Sequence, residues 1–95
     1  VLVNNLNDSL KKMKLFLRDS YGVKKIGYFG SYVRGEQTEK SDIDLLVEFS
    51  KPIGLRFVEL KEHLERELGK NVDLVTTKAL KPQLREAILN EVIYL

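Results

Sequence analysis

Two carboxylates separated by one residue, Asp42 and Asp44, open the stretch DIDLLVEF, in which apolar residues recur at every second position. In an extended strand alternate side chains share a face, so Ile43, Leu45, Val47 and Phe49 take one side and Asp42, Asp44, Leu46 and Glu48 the other. Two ionised carboxylates about 5 Å apart repel by roughly 3 kcal/mol at an effective dielectric of 20, and nothing about folding asks for that arrangement. Open water relieves much of the repulsion, and so does a divalent cation. Oxygen-only ligation suits Mg²⁺, which is commonly held by one or two carboxylates plus substrate phosphates. Asp73, between Val72 and Leu74, is the third acidic candidate. If its strand pairs beside that of Asp42 and Asp44, the three form one cluster, the layout of a two-metal site with ions about 3.5–4 Å apart.

Gly30-Ser31 is the second half of a candidate site. A glycine ending a strand lets a phosphate approach the backbone closely, since no Cβ intervenes. The helical turn that follows exposes N–H groups to an anion, and Ser31 adds a hydroxyl donor. Arg34 is placed to touch either a phosphate or the carboxylates, or to form a structural ion pair. Ser41, just before Asp42, reads as a local backbone hydrogen-bonder. Glu36, Glu39 and Glu48 read as solvated, and His63 as part of a charged helix surface, KEHLERE. The basic set Lys11, Lys12, Lys14, Arg18, Lys24 and Lys25 lacks the interleaved aromatics of a nucleic-acid surface and reads as a solvated face.

Gly30-Ser31, ten intervening residues and Asp42-Ile43-Asp44 resemble the signature of the DNA polymerase β-type nucleotidyltransferase superfamily. The fuller string GSYVRGEQTEKSDIDLLVEF, with Asp73 in NVDLV, resembles its minimal nucleotidyltransferase family, whose members often serve as antitoxins to a helical HEPN-domain ribonuclease. The resemblance implies the polymerase β-like fold, ATP as donor, two Mg²⁺ ions as cofactors, and AMP transfer to a tyrosine of the HEPN partner. By the same resemblance Asp42, Asp44 and Asp73 are the metal-binding and catalytic residues, with Asp73 helping to deprotonate the acceptor hydroxyl. Gly30, Ser31 and Arg34 are the nucleotide-binding residues. Two rival functions stay open: a non-catalytic antitoxin that occludes its toxin, and a nucleotidyltransferase with a small-molecule or RNA acceptor.

The elements that must position these residues follow from periodicity. Leu6, Leu10, Met13 and Leu17 mark an amphipathic helix, capped at Asn5 or Asn7 and ended by Gly22. A strand is predicted over Lys25–Phe29, a helical turn over Tyr32–Gly35 and a second strand over Asp42–Phe49. Phe57, Leu60, Leu64 and Leu68 mark another helix, closed by Gly69. A third strand is expected over Asn71–Val75. Pro82 suits the first turn of a last helix, with a stripe of Leu84, Ile88, Val92 and Leu95. Ile93-Tyr94-Leu95 fits core packing or a partner surface equally well. The fold class is therefore α/β (α+β), a small mixed sheet of about three strands flanked by helices.

Composition sets the outer bounds. At 95 residues the chain reads as a single domain over 1–95. It has no Cys and one His, which removes disulfides, Cys-ligated zinc, iron–sulfur clusters and thiol nucleophiles. Sixteen basic against fourteen acidic residues leave a net charge of +2, too balanced to argue for nucleic acid as a partner. No apolar run approaches a membrane span, and a cytoplasmic location is expected. Larger superfamily members use extra domains to hold the acceptor. This chain has no room for one, so a partner protein is expected to supply that surface, as a hetero-oligomer or with a second copy.

Overall fold

Residues 3–95 are described by the computed structural model, with side chains from residue 6 onward. Helix α1 (Val3–Tyr21) turns Leu6, Leu10 and Leu17 wholly inward, with Met13 at the margin of the same core. It begins ahead of the expected caps. Asn7 lies inside the helix with its side chain on the Tyr28 hydroxyl, a partner that replaces the capping role, and the side chain of Asn5 lies outside the described residues. Gly22 ends the helix at φ 70°, donating its N–H to Arg18 O at 3.0 Å.

Four strands form one sheet in the order β3-β2-β1-β4: β1 (Val23–Phe29), β2 (Ile43–Phe49), β3 (Val72–Thr76) and β4 (Ile93–Tyr94). The short helix α2 (Ser31–Arg34) follows β1. Strand β1 is antiparallel to both neighbours. Strands β2 and β3 are parallel, which demands a crossover, and α3 (Arg56–Leu68) provides it. Its C-terminus closes at Gly69, φ 68°, whose N–H reaches Glu65 O at 2.8 Å.

Helices α1 and α3 cover one face of the sheet. Ile26 and Tyr28 of β1, Ile43, Leu45 and Val47 of β2, and Leu60 and Leu64 of α3 are buried together there. Fully burying one such side chain is worth about 1.5–3 kcal/mol, so this face supplies most of the folding energy and fixes the register. Leu46, on the opposite face with Asp44, is also fully buried, and its strand β2 touches a 3-10 turn at Thr77–Ala79. Among the described residues no helix is long and apolar enough to cross a membrane.

The C-terminal segment departs from expectation. Helix α4 starts at Pro82 as predicted but stops at Glu91, and the stripe Leu84, Ile88, Val92, Leu95 is not one helical face. Val92 is already extended, with ψ 138°, and Ile93 and Tyr94 pair with Tyr28 and Gly27 as a fourth strand. Gly27 makes this possible: a Cβ there would lie 2.6 Å from Ile93 O and 2.9 Å from Val92 Cγ2. No residue of α4 is buried, and Leu84 is 51% exposed. Because the nearest obstacle is backbone, Gly27→Ala is expected to push β4 off the sheet and cost about 1–3 kcal/mol of stability, read as a lower urea midpoint. Unchanged stability would contradict the close approach of β4.

Candidate active site

The parallel register sets Asp44 of β2 directly beside Asp73 of β3, on strands about 4.8 Å apart. Asp42 lies just ahead of β2 and is exposed, as is Asp73, whereas Asp44 is half-buried. The condition stated for the third strand is therefore met. Burial pushes the Asp44 carboxyl above its ordinary value, and the charges of Asp73 and Asp42 push the same way, with Arg34 opposing them. This mutual repulsion is the physical sign that the carboxylates share one field. Among the described residues no three acidic or histidine side chains close tightly enough to cage a cation on their own. What the strands present is an open set of carboxylate oxygens. That set fits Mg²⁺, which keeps several waters and takes phosphate oxygens as further ligands.

Gly30 faces this cluster at the end of β1. Its φ of 76° and ψ of −143° belong to a region open essentially to glycine alone. Any Cβ at this position would overlap Asp44 Oδ2. Glycine is thus required twice, by the backbone and by the neighbouring carboxylate. Helix α2 begins at once, with Val33 and Arg34 N–H turned back to Gly30 O at 3.0 and 3.2 Å. The N–H groups of Ser31 and Tyr32, the first two of this helix, have no carbonyl behind them within it. Buried Tyr32 fastens the turn to the core.

The Gly30 N–H itself points elsewhere. It donates to Glu91 Oε2 at 3.0 Å, and Arg34 Nη1 donates to Glu91 Oε1 at 2.8 Å. Arg34 Nε also pairs with Glu36 Oε1 at 2.6 Å, so Arg34 lies within the field of Asp44 and in ion pairs at once. Glu91 was not anticipated from the sequence. Its one signal is electrostatic: α4 has no basic residue in its last turn, and a carboxylate at a helix C-terminus is disfavoured by the dipole unless something compensates.

The remaining candidates separate cleanly. Ser41 Oγ accepts from Thr38 N–H at 2.8 Å, the local bonding expected of it. Lys70 Nζ donates to Glu39 O at 2.7 Å, tying the loop before Asp42 to the start of β3. Glu48 pairs with Lys24 at 3.7 Å, away from Asp44 despite sharing its side of the strand. His63 packs against Phe16 with ring centroids 4.9 Å apart and takes no part in the site. A cavity of 380 Å³, lined by Glu48, Lys51, Thr76 and Lys78 among others, lies toward the other end of β2. Of the three carboxylates, Asp42 and Asp73 are exposed and Asp44 is half-buried.

Comparison with known proteins agrees with this fold. The family model for the nucleotidyltransferase domain matches residues 10–95. Protein adenylyltransferase MntA of Thermococcus cleftensis is 46% identical over 93 residues, covering 97% of this chain and 94% of that protein. A solved structure assigned as a minimal nucleotidyltransferase shares 38% identity and a TM-score of 0.84, covering 100% of this chain and 97% of its own. A toxin–antitoxin structure with AMP-PNP matches at 30% identity and a TM-score of 0.74, covering 92% of this chain and 71% of that one.

The raised carboxyl of Asp44 has a consequence for stability. The folded chain binds this proton more tightly than the unfolded chain, whose value is near 3.8. The contribution is present at low pH and is lost as pH rises through the folded value. Asp44→Asn removes that loss, so the variant is expected to unfold at a higher urea concentration than wild type at pH 7. The gap should close as pH falls below about 4. A lower midpoint at pH 7 would contradict the crowding of charge at this position.

Proposed function

Because the chain belongs to the nucleotidyltransferase domain family, we propose that it is a protein adenylyltransferase, moving AMP from ATP to a tyrosine hydroxyl of a HEPN-domain ribonuclease toxin and so acting as its antitoxin. The observation that carries the reading is the alignment of Asp44 with Asp73 beside Gly30-Ser31. An adenylyltransferase relative and a toxin–antitoxin relative with a bound ATP analogue support the donor and the partner. The exposure of Asp42 and Asp73 leaves room for a macromolecular acceptor to approach them.

Asp42, Asp44 and Asp73 are the residues that would hold Mg²⁺, which when bound neutralises phosphate charge and acidifies the attacking hydroxyl. The Ser31 hydroxyl and the outward N–H groups of α2 donate to the triphosphate, and Arg34 adds a positive charge beside it. Asp73, exposed toward the acceptor, takes the proton of the tyrosine Oη as that oxygen bonds to the α-phosphorus. The bond from the α-phosphorus to the bridging oxygen breaks, and pyrophosphate leaves with its electron pair. Catalysis of this kind is mainly placement and charge compensation.

Intact mass of the HEPN partner after incubation with this chain, ATP and Mg²⁺ tests the reading. One or more AMP units are expected at substoichiometric enzyme. Asp42→Asn and Asp44→Asn are expected to lower the rate by at least about 100-fold while remaining folded. A stable equimolar complex without mass gain would instead establish inhibition by occlusion.

A further inference from the structure

Glu91 has no part in that mechanism, yet its two oxygens grip both ends of the turn that carries Ser31. One accepts the Gly30 N–H at the start of α2 and the other accepts Arg34 Nη1 at its end. A helix of four residues cannot hold itself, because nucleation alone outweighs so few internal bonds. Tyr32 anchors one side of the turn in the core, and Glu91 anchors the side facing the carboxylates. Its side chain is only 21% exposed, so the bond to the Gly30 N–H is partly shielded from water, while Arg34, 53% exposed, reaches it from the open side. The contact also explains how an almost wholly exposed helix, α4, keeps its last turn on the body of the protein.

We propose that Glu91 is a positioning residue for nucleotidyl transfer, clamping the Gly30–Arg34 turn so that Ser31 and Arg34 stay fixed relative to Asp44. The role rests on the adenylyltransferase reading. It depends on reach: the carboxylate spans two donors, and shortening it by one methylene releases at least one of them. Length should therefore matter more than charge.

Two variants separate these. Glu91→Asp keeps the charge and loses the reach, whereas Glu91→Gln keeps the reach but offers one acceptor oxygen where two donors need one each, its NH2 group facing the other donor. Both are measured for kcat and for the KM of ATP, with the HEPN partner as acceptor, alongside exchange of the Gly30 amide by NMR. Glu91→Asp is expected to lose about 100-fold in kcat, the scale of an ångström misplacement, with faster Gly30 exchange and a smaller change in KM. Glu91→Gln is expected to lose about tenfold, the cost of leaving one of the two donors without an acceptor. The opposite order, or both variants within about twofold of wild type, would overturn the proposal. A wild-type chain that transfers no AMP would overturn the adenylyltransferase reading and the transfer role with it, while Gly30 exchange would still register the clamp separately.

Discussion

Asp44 touches Gly30 because β1 and β2 run antiparallel with Phe29 opposite Asp44, which brings a carboxylate against the backbone where strand gives way to helix. Three features depend on that contact. Residue 30 must lack a side chain, its own backbone takes the glycine-only conformation that starts the turn, and Asp44 sits partly out of water beside two other acids. Each is unfavourable locally. The opposite face of the same strand offsets them, since Ile43, Leu45 and Val47 are buried completely against the two long helices. One strand thus carries the stabilising face and the strained one, and its pleat keeps them apart.

The core face was legible from sequence because it obeys simple periods. Leu6, Leu10 and Leu17 at helical spacing, and Ile43, Leu45 and Val47 at strand spacing, are buried where those periods put them. The acidic cluster was legible for a different reason, as like charges set close together where folding did not need them. The parallel pairing that completes it was not fixed by any local pattern and entered as a condition, since strand order is decided by the crossover through α3.

Two features escaped, and both are long-range. The last strand was hidden because Leu84, Ile88, Val92 and Leu95 continue a helical rhythm past the point where the helix stops. Gly27 was the overlooked sign, a glycine inside a strand marking close backbone approach. Glu91 was missed because its partners lie 57 and 61 residues away in the chain, and no spacing rule reaches that far. In each case the tertiary contact overrode a pattern that was correct over a shorter span.

The order in which the chain leaves the ribosome gives the Glu91 contact a further meaning. Residues 23–49 hold Gly30, Ser31, Asp42 and Asp44 and make the antiparallel β1–β2 pair, and Asp73 comes with β3. The side chain that braces the turn between them comes only at residue 91. A nascent chain therefore displays every acidic residue of the site before it possesses the brace that holds the Gly30–Arg34 turn. The brace thus comes later along the chain than the turn it holds.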